Sequence, residues 1–150
     1  AWGPTAMLPI FQLLGTEYCR KDIITRFINK EKMYDGFTKI SFIYPHAVAS
    51  MKVGQGAKSE GEMIVSGTKG YIYVPAPWWK TDYFEVRYEN QQNNKRYFYQ
   101  LDGEGLRYEL LSFLKAIRTG KEFSYVANDI SKAITSTIAD FYAHQDMTVI

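Results

Sequence analysis

The stretch "MKVGQGAKSEGEM", Met51 to Met63, decides the fold. Three glycines, Gly54, Gly56 and Gly61, come after a run that reads as a β-strand, and Lys58 sits among them. A dinucleotide fingerprint is G-x-G-x-x-G between a strand and a helix, because the helix N-terminus holds the pyrophosphate. Here the third glycine comes two residues late, and the next residues, "EMIVSG", read as a strand. A phosphate loop also fails, since it must end in Gly-Lys and then Ser or Thr. The stretch is therefore expected to be a flexible or bulged connection between two strands.

The neighbouring segments extend this pattern. Before it, "FTKISFIYPHAVASMKV" reads as a hairpin broken at "YPHA". After it, "GEMIVSGTKGYIYV" reads as a second hairpin turning at Gly67–Gly70. "YFEVRYENQQNNKRYFYQL" is a third, with Asn and Gln at its tip. In it Phe84, Val86 and Tyr88 face one way, and Tyr83, Glu85 and Arg87 the other. Upstream, "DIITRFI" is β-branched and strand-like, and "KMYDG" reads as a polar turn. At the start, "TAMLPIFQLLG" reads as a short helix closed by Gly15, with Pro9 tolerable only near its first turn.

Two helices close the chain. In "GEGLRYELLSFLKAIRTG", Leu106, Leu110, Phe113, Leu114 and Ile117 repeat at helical spacing, and Gly120 ends the run. In "NDISKAITSTIADFYAHQ", Asn128 or Asp129 caps a stripe of Ile130, Ile134, Ile138 and Phe141. Roughly seven strands in hairpins, segregated from helices, predict an α+β fold. It should be a mostly antiparallel, open sheet with helices on one face. The other face should carry tyrosines and meet water, a partner domain or a second subunit.

Composition fits one domain: 150 residues, 46% apolar and 23% charged. Tyrosine is abundant at 12, with 9 Phe and 3 Trp, and it suits half-buried sheet faces and interfaces. The net charge of +2 is too weak to argue for nucleic acid. No apolar run approaches the ~20 residues of a membrane-spanning helix. The single cysteine, Cys19, excludes an intrachain disulfide.

Local chemistry is sparse. "KGYIYV", Lys69 to Val74, resembles an RNA-binding strand motif whose aromatics stack on bases, but Ile72 and Ala76 break it. "VPAPWWKTDYF" is the densest feature. Its prolines hold an extended segment that presents Trp78 and Trp79, with Lys80 and Asp82 just beyond. An indole can stack on a sugar ring while Lys and Asp bond its hydroxyls; alternatively the tryptophans seal a sheet edge or an interface. His46 and His144 lack a second ligand at metal spacing, so no metal site is expected. Cys19 has no base nearby in sequence, and Glu60, Glu62 and Glu104 form no paired carboxylate.

Taken in order, "GPTAMLPIFQLLG", "FIYPHAVASMKVG", "SGTKGYIYVPAPWW" and the closing helices joined by "TGKEFSYVAND" resemble the C-terminal domain of the Gfo/Idh/MocA oxidoreductases. The resemblance covers nearly the whole chain. It implies a fold like the C-terminal domain of glyceraldehyde-3-phosphate dehydrogenase, preceded by an N-terminal Rossmann domain missing from this chain. That absent domain would bind NAD or NADP, so no cofactor is expected here. Substrates would be small sugars, inositols or related polyols, and the open sheet face would form a homo-oligomer. The location would be cytoplasmic. Neither membrane nor nucleic acid is an expected partner.

The family's catalytic lysine belongs to the absent domain. Its Asp-x-x-x-His pair finds neither residue in "AWGPTAML". No catalytic residue is therefore assigned, and 1–150 alone is expected to be inactive. Trp2, Lys52, Trp78, Trp79 and Lys80 are the candidates for a substrate pocket or interface. A stand-alone carbohydrate-binding module, an RNA-binding sheet through Tyr71 and Tyr73, and a protein-interaction domain are the alternatives.

Overall fold

The structure, a computed structural model, describes residues 2–103, 105–121 and 123–150. The chain forms two compact units, Ala1–Lys58 with Ser124–Ile150, and Ser59–Phe123. The α+β class and the antiparallel hairpins are as expected. The strands, however, divide into two four-stranded sheets instead of one. The cause lies in the Gly54–Gly61 stretch, where the chain leaves one ladder without continuing it into the next.

The first unit holds α1 (Gly3–Leu14), β1 (Arg20–Asn29), β2 (Tyr34–Ile43), β3 (Val48–Gly54), α3 (Asn128–Tyr142) and β8 (Met147–Val149). Its sheet order is β3-β2-β1-β8. Strict alternation in β1 and β2 turns Ile23, Thr25, Thr38, Ile40 and Phe42 to one face, where they are buried. There they meet Met7 and Phe11 of α1 and Ile130 of α3. Phe42 is fully buried, with ring centroids 5.0 Å from Phe11 and 5.1 Å from Tyr18, both edge-on. The buried hydroxyls are satisfied: Thr25 and Thr38 bond at 2.9 Å, and Thr38 donates to Asp35 at 2.7 Å.

Several local expectations change. Tyr34, Asp35 and Gly36 belong to β2 and not to a turn, and a register shift beside Phe27 accommodates Gly36. Pro9 sits inside α1, where its ring forfeits one helical hydrogen bond, while Pro4 occupies the tolerant first turn. Gly15 closes the helix as expected, its N–H donating to the Phe11 carbonyl. Ala127, and neither Asn128 nor Asp129, is the N-cap of α3; the Asp129 carboxylate instead accepts from the Ile130 N–H. β8 lies parallel to β1 and was not legible in sequence.

The second unit holds β4 (Met63–Ser66), β5 (Tyr71–Val74), β6 (Tyr83–Arg87), β7 (Lys95–Phe98) and α2 (Leu106–Thr119), with short 3-10 turns at Trp78–Lys80 and Gln91–Asn93. Its antiparallel sheet runs β4-β5-β6-β7. Gly120 ends α2 in the left-handed conformation, as the sequence predicts. The apolar stripe of α2 is present, but Leu106, Leu110, Phe113, Leu114 and Ile117 are exposed, not buried against a sheet. Tyr71, Tyr73 and Tyr83 also lie in this sheet, so the open face of the first sheet is not the tyrosine-rich one.

Candidate functional site

The tryptophan segment forms a built turn. A cis Ala76–Pro77 peptide leads into it, and Pro77 is the N-cap of the Trp78–Lys80 turn. The Lys80 N–H closes it by donating to the Pro77 carbonyl at 2.9 Å. The turn is pinned to the glycine stretch, because the Trp78 N–H donates to the Gly61 carbonyl at 2.8 Å. Gly61 also lies under the Trp79 ring; a Cβ there would come within 3.1 Å of it. The two indoles meet edge-on at 89°, centroids 5.9 Å apart. Trp78 is half-buried, and Trp79 keeps 49% of its surface exposed. One ring thus anchors the turn, while the other offers apolar surface to solvent.

An open groove of about 250 Å³ adjoins this turn in sequence and space. Its lining is Val74, Thr81, Asp82, Tyr83, Phe84, Tyr99 and Leu101. The Tyr99 N–H donates to the Asp82 carbonyl at 2.7 Å, which holds the segment after β7 against the start of β6. The Thr81 hydroxyl donates to the Tyr83 carbonyl at 3.1 Å. The walls are mostly apolar, with the exposed Asp82 carboxylate at the rim. Such a groove suits a flat or ring-shaped ligand gripped by apolar contact and oriented by a few polar groups. Trp78, Trp79, Lys80 and Asp82 were legible as one dense segment. Tyr99 and Leu101 were not, because the β6–β7 pairing brings them in from outside it.

One face of the same sheet carries a charged network. The Glu85 carboxylate accepts from Arg87 at 2.5 Å and 2.6 Å and from Arg96 at 2.5 Å and 2.8 Å. The bond from Arg96, then that from Arg87, holds the Glu85 carboxyl below the usual carboxylate range. Bonds to Tyr71 and Glu85 raise Arg87 further. The Arg87 guanidinium lies 4.3 Å from the Tyr73 ring centroid and 5.9 Å from that of Tyr71. One ring face that could stack on a base in "KGYIYV" is thus already covered.

The remaining candidates lie in the first unit. Lys52 sits on the exposed face of β3, directly opposite Lys39 of β2. Trp2 precedes α1 and is 56% exposed. The structure therefore brings together Trp78, Trp79 and Lys80, and leaves Trp2 and Lys52 on separate elements of the other unit. Glu104 lies outside the described residues. Glu60 is exposed, and Glu62 buries one carboxylate oxygen with no hydrogen-bond partner. Among the described residues, no group of three His, Cys, Asp or Glu side chains could hold a metal ion. No helix among them is long and apolar enough to cross a membrane.

No protein-family profile matches the chain, and no curated protein matches it. Solved structures do. KijD10, a 3-ketoreductase from Actinomadura kijaniata solved with NADP and TDP-benzene, matches with a TM-score of 0.75 at 9% identity. The match covers 99% of this chain and 46% of that one. An aldose-aldose oxidoreductase from Caulobacter crescentus, complexed with glycerol, matches with a TM-score of 0.72 at 15% identity, over 94% of this chain and 43% of that one. The chain thus spans about half the length of the structures it matches. It shares its fold with that part of these oxidoreductases, in keeping with the resemblance of its sequence to the C-terminal domain of the Gfo/Idh/MocA oxidoreductases.

Proposed function

We propose that residues 1–150 are the substrate-binding and oligomerisation domain of an NAD(P)-dependent oxidoreductase acting on a sugar, inositol or related polyol. The observation that carries this reading is the fold match, which takes in 99% of this chain and 46% of KijD10, solved with NADP. A Rossmann domain would hold NAD or NADP and supply the hydride chemistry. Gly54 and Gly56 lead toward β4 and not toward a helix N-terminus, so this glycine stretch is not a dinucleotide loop.

In this reading the chain's own residues bind and orient. Trp79 supplies an apolar surface for the C–H face of a ring, and Asp82 and Lys80 bond its hydroxyls. The open face of the first sheet, with Lys39 and Lys52, forms the contact between subunits. The enzyme works in the cytoplasm, where nicotinamide cofactors are held.

The gene segment encoding the residues before Ala1 tests this reading. A strand, G-x-G-x-x-G and a helix are expected there. The protein carrying that segment should oxidise a sugar or inositol with NAD or NADP, and 1–150 alone should not. An unrelated upstream segment would overturn the reading. Quenching of tryptophan fluorescence by simple sugars in 1–150 alone would favour a stand-alone carbohydrate-binding module.

A further inference from the structure

α2 carries an apolar face that the protein leaves uncovered. Leu106, Leu110, Phe113, Leu114 and Ile117 are each between 47% and 64% exposed. At about 100° per residue they occupy one stripe of the helix. Tyr108, Ser112 and Ala116, spaced four apart on another side, are the half-buried residues of α2. The helix is thus held by one side and presents its apolar side to solvent. A core helix does the reverse and turns its apolar stripe inward.

Cations flank the stripe. Arg107 and Arg118 share one flank, Lys115 lies beyond them, and Lys121 comes just after the last turn. Glu109 is the lone carboxylate from Leu106 to Lys121. Four cations and one carboxylate give this segment +3, against +2 for the whole chain. The excess positive charge of the protein is therefore carried here. Arg107 is shared with the Asp102 carboxylate. The Lys115 ammonium lies 3.6 Å from the centroid of the Phe123 ring, which is itself exposed.

A helix with an exposed apolar stripe, Lys and Arg on its polar side and low net hydrophobicity is built to lie in the plane of a membrane surface. The apolar side chains enter the boundary between headgroups and acyl chains. The long cationic side chains reach back to the lipid phosphates. An anionic surface matches the charge of this segment. A second copy of the helix would add its own +3 to the same place, and like charges brought together disfavour contact. With 14 residues α2 is too short to span a bilayer, so the contact is confined to one surface.

We infer that α2 docks this protein on an anionic lipid surface, with Leu110 and Phe113 at the centre of the inserted face and Lys115, Arg118 and Lys121 against the headgroups. The inference does not rest on the oxidoreductase reading. It replaces the expectation of no membrane partner: a surface helix needs no spanning segment.

Co-sedimentation of 1–150 with phosphatidylcholine vesicles containing phosphatidylglycerol tests it. The protein should pellet with these vesicles, less so as salt is raised, and far less with phosphatidylcholine alone. Leu110→Ser combined with Phe113→Ser should weaken binding about tenfold or more. Both side chains are exposed, so the melting temperature of this double variant should stay unchanged. Arg118→Gln should weaken binding about fivefold on the anionic vesicles, the effect of one cation at such a surface. Failure to pellet with the anionic vesicles overturns the inference, as it would if the stripe holds another protein instead. Pelleting that the double variant leaves unchanged also overturns it, since the contact would then lie elsewhere on the chain. So does a marked fall in the melting temperature of the double variant, which would mean that the stripe is buried in solution.

Discussion

The Lys21 ammonium lies 2.6 Å from the Asp140 carboxylate, joining β1 to the last turn of α3. It reaches the Asp146 carboxylate at 3.2 Å as well. Asp146 stands at φ +51, and its carbonyl accepts the Ile23 N–H at 2.8 Å, where β8 begins to run beside β1. A single lysine thus fastens α3 and β8 to the sheet. Burial pulls its pKa down, but the bonds to Asp140 and Asp146 together raise it above the ordinary value of 10.5.

Lys21→Met should leave Asp140 partly buried without its partner. The expected loss is about 3 kcal/mol, at the low end for a broken buried pair, because Asp140 keeps 20% of its side chain exposed. Urea unfolding at neutral pH measures it. Since the folded pKa lies above the unfolded one, the stabilisation is fully present below pH 10.5 and is lost as pH rises through the folded value. Wild type and Lys21→Met should therefore converge in stability only in strong alkali.

Glu85 titrates in the opposite sense. Its folded pKa is depressed below the ordinary 4.5, by Arg96 first and Arg87 second. Its contribution is present above pH 4.5 and disappears as pH falls through the folded value. A carboxylate-carbon NMR titration should place its midpoint below 4.5, and Arg96→Gln should move it upward. A midpoint that ignores Arg96→Gln would mean the ion pair does not form in solution.

Gly54 is required by a close backbone approach. A Cβ there would sit 2.8 Å from the Gly36 carbonyl oxygen, which also accepts the Gly56 N–H at 2.8 Å. Gly54→Ala should cost roughly 1–3 kcal/mol, in the range of overpacking a tight site. At Gly3, by contrast, the nearest atom to a Cβ is the Met7 methyl at 3.9 Å. Gly3→Ala should be neutral or gain up to about 1 kcal/mol from helix propensity. Thermal melts of the two variants make the comparison.

Phe42→Ala removes the ring on which Phe11 and Tyr18 both rest edge-on. With 0% of its surface exposed, the expected loss is about 3–5 kcal/mol. Denaturant unfolding should show a lower midpoint. An unchanged midpoint would mean that α1 does not pack on the sheet in solution.

Much of the fold was legible because it is encoded over short range. The alternation in β1 and β2, the turns at "YPHA" and Gly67–Gly70, and the glycine stops at Gly15 and Gly120 are local choices of backbone and burial. The same local logic removed the nucleotide reading of Gly54, Gly56 and Gly61, since a strand comes after them. The tryptophan turn was visible as a cluster for the same reason.

Long-range pairing decided the rest. Met147–Val149 is largely β-branched but too short at three residues to read as a strand by itself, and it becomes β8 where β1 offers an edge and Lys21 holds Asp140 and Asp146 beside it. Two sheets form where one was expected, since alternation specifies which residues face a core but not which strand lies next to which. Tyr99 and Leu101 enter the groove through the β6–β7 register. Sequence determined the elements and the faces they bury; the tertiary structure chose the partners, because hydrogen-bond pairing between distant strands depends on what the rest of the chain leaves unpaired.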